Sequence, residues 1–259
     1  MNVITRLFEP VGVFFLRFFE DTGRWFQMLG RTFVWTFRRP FEGREWMRQM
    51  VRIGVDSIPV VVLTTMFTGM VMALQTFNGF RRVHAENFVA SVVSLAMVRE
   101  LSPVLVGLMV TGRVGSSMAA EIGTMRVTEQ LDALEALATD PVHYLFVPRV
   151  MAGIVMLPFL VILGDAIGIF GGYLIAVKMM GANPLIYDQN TWQFLDLNDV
   201  LSGLIKAAVF GLLLTLTGCM KGYFTTGGAE GVGRSTTSAV VVASLIILLS
   251  DFFLTRLLF

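Results

Sequence analysis

Five charges lie inside apolar runs of this sequence: Arg99, Glu100, Asp165, Lys206 and Asp251. In hydrocarbon an ionised side chain costs at least about 2.5–3.5 kcal/mol on insertion scales. Such residues must therefore face a protein partner, a watery cavity or a polar headgroup, and their chemistry is binding and charge pairing. Arg99 and Glu100 are adjacent, so on a helix they point about 100° apart and do not form an i, i+4 pair. Glu100 shares a face with Ala96, Val104 and Gly107, a narrow surface suited to packing or to a cavity wall. Asp165 and Lys206 read as unpaired. Asp251 and Arg256, at near-helical spacing, read as snorkelling to an interface. Two roles stay open for these charges: an ion-pair lattice that only holds helices together, or a substrate site.

No nucleophile–base pair is recognisable, so no catalytic residue is assigned. His84 and His143 are the only histidines, and no metal-ligand spacing surrounds either. The lone Cys219 rules out an internal disulfide. GAEGVGRS, Gly228 to Ser235, is one residue from a phosphate-binding loop, with Arg234 in place of the lysine. No strand precedes it and an apolar span follows, so the required context is missing. A turn in which Ser235 or Thr236 caps the following helix explains it better. With no cofactor expected in this chain, any uphill work draws on a partner or an ion gradient.

The elements that hold these charges are membrane helices. The chain has 259 residues, of which 55% are hydrophobic and 15% charged, against about 25% charged in soluble domains. The mean hydropathy is +0.71. Spanning stretches fall at roughly 55–77, 88–112, 150–177, 200–220 and 238–258. The net charge of +1 and the lack of basic–aromatic clusters argue against nucleic acid. Ahead of the first span, Ile4, Leu7, Phe8, Val11, Phe15, Phe18, Phe26 and Leu29 recur at helical spacing, with Arg6, Arg17, Asp21 and Arg24 between them. This segment is too charged to span and should lie along the membrane surface, ending near Arg38-Arg39-Pro40. It reads as no secretory signal. We divide the chain into an interfacial region, 1–49, and a membrane region, 50–259. Arginines crowd the part before the first span, which places the N-terminus in the cytoplasm and, after five spans, the C-terminus outside.

Small residues repeat every four positions at Gly164, Gly168 and Gly172, and again at Gly203, Ala207 and Gly211. Such stripes let helix backbones approach closely in lipid. Residues 124–139 have good helix propensity, with Val127, Leu131, Leu134 and Ala138 on one stripe and Glu129, Asp132 and Glu135 elsewhere around it. Thr124 can cap the start, and Asp140-Pro141 ends it. A short amphipathic helix between spans suits docking into a groove of a soluble partner.

Four blocks carry a resemblance: RELSPVL (99–105), GRVGSSMAAEIGTMRVTEQLDAL (112–134), DPVHYLFVPR (140–149) and GAEGVGRSTT (228–237). In order and spacing they resemble the signature blocks of MlaE-type permeases, also called YrbE, over nearly the whole chain from about residue 50. The resemblance implies an all-α membrane protein, an interfacial helix plus five spans, with an architecture like the ABCG-type exporters. It implies a homodimer in the bacterial inner membrane that moves phospholipids, or similar hydrophobic molecules, between that membrane and the outer envelope. The implied partners are a cytoplasmic ABC ATPase (MlaF-like) carrying ATP and Mg, a periplasmic MCE-domain protein (MlaD-like) and usually a small STAS-domain protein (MlaB-like). It places Arg99, Glu100 and Lys206 near a lipid cavity at the dimer interface. We add Leu74 and Phe77 of the first span as tail contacts. It makes 121–140 the coupling region against the ATPase, for which we single out Glu121, Arg126, Glu129, Asp132, Glu135 and Asp140. The chain departs from the family pattern at Ser102, where glycine is usual, and at Arg82-Val83-His84. The alternative reading is an ion-gradient-driven carrier using Glu100, Asp165 and Asp251 as a relay.

Overall fold

The computed structural model describes residues 3–38, 43–82 and 84–259, with side chains described at Leu16 and from Phe19 onward. The amphipathic positions expected at 4, 7, 8, 11, 15 and 18 lie outside the described side chains, and Arg39, Pro40 and Val83 outside the described residues. α1 (Val3–Thr36) is one continuous helix. From Phe19 on it has two faces: Phe19, Phe26 and Phe33 are exposed, whereas Met28 and Thr32 are buried. Trp25 Nε1 donates to Thr217 Oγ1 at 3.1 Å, tying the inner face to the bundle.

α2 (Gly43–Ile53) enters the membrane region and passes through a single tight turn, Val55–Ser57, into α3 (Ile58–Arg81). Pro59 falls in the first turn of α3, where its missing N–H has no helical acceptor to satisfy. The second span is unbroken from Glu86 to Val127. It contains α4 (Val89–Ala96), α5 (Ser102–Val110) and α6 (Ser116–Val127), joined by π turns at Met97–Leu101 and Thr111–Gly115. A helix of 42 residues is about 63 Å long, roughly twice the apolar thickness of a bilayer, so one end stands clear of it.

The single helix expected over 121–140 is not formed. α6 stops at Val127, the chain reverses at Thr128–Glu129, and α7 (Gln130–Ala136) runs back as a hairpin. Glu129 and Ala138, at φ 59° and 58°, bracket α7 in the left-handed region. Thr124 caps nothing; its hydroxyl donates to Ala120 O at 2.8 Å inside α6. The reversal brings Leu131, fully buried, and Leu134 onto the core. Burying one leucine is worth about 1.5–3 kcal/mol, which outweighs a few tenths per residue of helix propensity.

α8 (Val147–Tyr173) lies between π turns at Val142–Phe146 and Leu174–Met179. The segment read as a polar loop, 181–199, holds a further helix, α9 (Pro184–Gln193), whose start is capped by Asn183 accepting from Leu185 N at 3.0 Å. α10 (Leu197–Tyr223) and α11 (Gly228–Leu258) complete the bundle. GAEGVGRS forms the first turns of α11, which begins ten residues earlier than 238. Gly227 and Gly228, at φ 89° and 66°, make the turn before it. Neither Ser235 nor Thr236 caps the helix; Ser235 Oγ accepts from Thr225 Oγ1 at 2.9 Å instead.

Five helical stretches are long and apolar enough to cross a membrane. α10 is the hub, packed against α8, α11 and α6, with α3 on the other side of α8. The apolar window of α10 is 61% buried, against 17% for α11 and 28% for the first span. Those two outer spans therefore present Phe67 and Val71, and Leu245, Leu249 and Phe252, to lipid or to another chain. The glycine stripes do what their spacing implies. A Cβ on Gly69 would collide with the Gly168 carbonyl, one on Gly211 with the Gly153 carbonyl, and one on Gly203 with the Val98 carbonyl. Gly164 and Gly172 face Ser102 and Val93 of the second span at similarly close range.

Candidate functional site

The intramembrane charges converge. Lys206 of α10 is fully buried. Its Nζ donates to Glu100 Oε2 at 2.7 Å, to Thr255 Oγ1 at 2.7 Å and to the carbonyl of Arg99 at 3.0 Å. Asp251 Oδ1 is 3.1 Å away. An ammonium has three hydrogens, and the first three acceptors take them. Asp251 Oδ1 accordingly sits in the field of the cation without a hydrogen bond of its own.

The sequence provides for the Arg99 carbonyl in an unusual way. In a helix that oxygen would accept from residue 103, but Pro103 has no N–H. The chain also runs as a π turn across Met97–Leu101, a distortion frequent at functional sites. Lys206 supplies the missing donor. Arg99 and Glu100 turn away from each other, as their angular separation requires. Arg99 pairs with Asp199 through Nε at 2.8 Å and Nη2 at 2.7 Å, and its guanidinium lies 4.5 Å from the Phe259 ring centre. Asp199 is buried and also accepts from Asp196 N at 3.1 Å, closing a capping box at the start of α10.

Three sequence readings change here. Lys206 is paired, not isolated. Asp251 turns inward to Lys206 instead of snorkelling. Phe77 is buried with Ala73, Val89, Val93, Met97 and Tyr187 in a separate cluster, not on the outer surface of the first span. Phe77 also lines a pocket of about 310 Å³ with Arg81, Asn183 and Tyr187. Leu74, by contrast, is on the outer surface. Asp165 is nearly buried, with Ser102 as its hydrogen-bonding neighbour and Oδ1 unpartnered.

The residues expected at a motor contact divide into two groups. Glu121 and Asp140 brace the bundle. Glu121 pairs with Arg52 at 2.6 Å and with the buried Arg149 at 3.1 Å. Asp140 pairs with Arg31 of α1 at 3.0 Å and accepts from Val142 N at 2.8 Å. The others stand on the hairpin surface. Arg126 pairs with Asp132 at 2.7 Å, Glu135 is 3.4 Å from the Tyr223 hydroxyl, and Glu129 is exposed at the reversal beside Val127. Leu137, at 76% exposure, gives the α7 end of the hairpin an apolar contact point.

A buried lysine–carboxylate knot lies at one end of five apolar helices, and a charged hairpin extends from the second span. Residues 46–257 match the family model described as Permease MlaE. The chain belongs to the MlaE permease family. It is 54% identical over 213 residues to a probable ABC transporter permease protein of Rickettsia typhi, covering 82% of each chain. It is 44% identical over 242 residues to another of Synechocystis sp., covering 91% of this chain and 92% of that one. The intermembrane phospholipid transport system permease protein MlaE of Haemophilus influenzae is 38% identical over 218 residues, covering 82% of each.

Within this MlaE-family chain the sequence reading missed three members of the knot: Asp199, Thr255 and Phe259. Asp199 had a readable signal. Asp196 followed by Asp199 ahead of an apolar run has the spacing of a capping box, which places Asp199 on the first turn of α10, not in a loop. Thr255 and Phe259 carry no signal of their own. Their role depends on α11 crossing beside Lys206. Among the described residues no group of His, Cys, Asp and Glu could hold a metal ion.

Proposed function

We propose that this chain is the homodimeric membrane subunit of an ABC transporter that moves phospholipid between the bacterial inner membrane and the outer envelope. A MlaF-like ATPase, with ATP and Mg, drives it from the cytoplasm, a MlaD-like MCE protein receives or delivers lipid on the periplasmic side, and a MlaB-like STAS protein accompanies the ATPase. The hairpin end is cytoplasmic and the α9 end and C-terminus are periplasmic. The arginines of α1 and α2 on the hairpin side support that orientation. Family membership and the printed function of the Haemophilus relative support the substrate class.

The observation that carries the reading is the half-exposed Arg99 at the edge of the Lys206 knot. Asp199 engages its Nε and Nη2, while Nη1 has no partner among the described residues and the side chain remains 39% exposed. A guanidinium held on one edge and open on the other can take a phosphate oxygen. α3, with an apolar face that includes Leu74, and the Phe252 end of α11 form the dimer seam and the tail-contacting wall, in an architecture like the ABCG exporters. Glu100 and Asp251 neutralise Lys206, so the polar site persists in an apolar setting. Glu129, Asp132, Glu135 and Arg126 contact the ATPase, and Glu121 and Asp140 pass its motion to α2, α8 and α1.

The test is isolation of the native complex with lipid analysis, followed by transfer assays. An ATPase, an MCE protein and bound phospholipid should copurify, and transfer should stop without ATP. Transfer driven by an ion gradient, with no nucleotide-binding subunit present, would sink the proposal in favour of a secondary carrier.

A further inference from the structure

Between α1, the end of α10 and the start of α11 lies a cavity of about 310 Å³. Nothing in the transport reading uses it. Its charged lining is Arg24, Lys221 and Arg234, with Asp21 the only carboxylate among the lining residues. Each cation has an acidic neighbour: Arg24 has Glu20, Lys221 has Asp21 at 2.7 Å, and Arg234 has Glu230 at 4.0 Å. These contacts do not saturate the cations. The Arg234 and Glu230 side chains are 71% and 83% exposed, and a surface pair of that length contributes little. Arg24 also lies over Phe224, 4.8 Å from the ring centre, and lines the cavity with it. Thr226, Ser235 and Ser238 add hydroxyl groups to the wall.

What surrounds the cavity decides the kind of anion. Arg234, Ser238, Val241 and Leu245 follow one another on a single face of α11. Val241 and Leu245 are exposed, so the cationic wall runs directly into an apolar stripe. A soluble phosphate would use the cations and leave the stripe bare, whereas a lipid uses both. Basic pockets between membrane helices on the cytoplasmic side are suited to anionic headgroups.

We propose that this cavity binds the headgroup of an anionic phospholipid of the cytoplasmic leaflet, with a tail along Val241 and Leu245. The site is separate from the Arg99–Lys206 knot. Lys206 and Lys221 are fifteen residues apart on α10, about 22 Å along its axis. The inference rests on the membrane orientation proposed above but not on transport of any substrate.

The test is lipid retention by the full chain in detergent, read by native mass spectrometry with dioleoyl phosphatidylglycerol, dioleoyl phosphatidylcholine and inorganic phosphate as probes. Wild type should retain phosphatidylglycerol over phosphatidylcholine. Arg234→Gln, on a largely exposed side chain that folding does not need, should lower that retention about fivefold, and Arg24→Gln with Arg234→Gln about twenty-five-fold. Equal retention of the two lipids, or no loss in the double variant, would overturn the proposal. Displacement of phosphatidylglycerol by millimolar inorganic phosphate would assign the cavity to a soluble anion, and loss of dimer together with lipid would assign the stripe to a protein contact. Either result also overturns it. Phospholipid transfer does not enter this readout, so failure of the transport reading would be seen separately.

Discussion

Replacing Lys206 with methionine keeps most of the side-chain volume and removes the one cation that holds three helices together. Glu100 and Asp251 then face each other without compensation, and the Arg99 carbonyl, already deprived of its α-helical donor by Pro103, loses the Lys206 donor. Removing one partner of a buried ion pair costs about 3–5 kcal/mol. Orphaning a buried carbonyl adds about 1–3 kcal/mol. The Glu100 side chain is 37% exposed and Asp251 19%, so water relieves part of this, and we take about 3 kcal/mol as the net loss. For a chain of this size that corresponds to a fall in Tm of about 6–12 °C, measurable by the unfolding of the purified protein in detergent or nanodiscs. The informative comparison is the triple variant Lys206→Met, Glu100→Gln, Asp251→Asn. With the two carboxylates neutralised, most of the lost stability should return, while lipid transfer stays absent. If Lys206→Met alone melted within about 1 °C of wild type, less than 1 kcal/mol would separate them, and the knot would not hold the spans together.

Other perturbations test other joints. Glu121→Gln should strand the buried Arg149 and lower stability by about 2–4 kcal/mol, seen as a drop in Tm together with loosened binding of the ATPase. Glu129→Lys combined with Asp132→Lys should leave Tm within about 1 °C of wild type, since both side chains are exposed, but should abolish copurification of the ATPase. Ala138→Gly should relieve a left-handed residue worth about 1 kcal/mol and raise Tm slightly; a fall would show that the α7 hairpin is not formed as described. Gly211→Leu should prevent α10 from meeting α8 at Gly153 and give a protein that does not assemble in the membrane, measured as loss of the monodisperse peak on size exclusion.

The five spans were legible because lipid imposes a simple test of length and apolarity, and the glycine stripes because close helix approach leaves a fixed spacing. The charges were legible as misfits, but their partners were not. Lys206 meets Glu100, Asp251 and Thr255 only when three helices cross at one height, and no spacing within one helix encodes that height. The hairpin failed for a different reason. Residues 124–139 have the local composition of a helix, and only the core position open to Leu131 turns Glu129 left-handed and folds α7 back. The 181–199 segment was misread because Asn183-Pro184 and Asp196…Asp199 are helix-start signals that overall polarity obscured.

The second span carries the coupling argument. Glu100 at the knot and Glu121 at the brace are twenty-one residues apart on one continuous helical stretch, about 32 Å along an ideal α-helix. Two π turns interrupt the regular ladder between Met97 and Gly115. At the first, Lys206 reaches the Arg99 carbonyl. At the second, Arg113 donates to the carbonyl of Arg52 and to Ser57 Oγ. The first turn has one of its own backbone oxygens bonded by a cation from α10, whereas the second carries the cation that reaches a backbone oxygen of α2. A rigid α-helix transmits an axial push without changing its side-chain register. A helix with two side-chain-stabilised π turns has places where the register can shift by one residue, and a shift at either turn would break a named cationic contact. A one-residue shift at the first turn would carry the Arg99 carbonyl away from Lys206, and its cost would be set by how completely the freed cation and carbonyl find new partners.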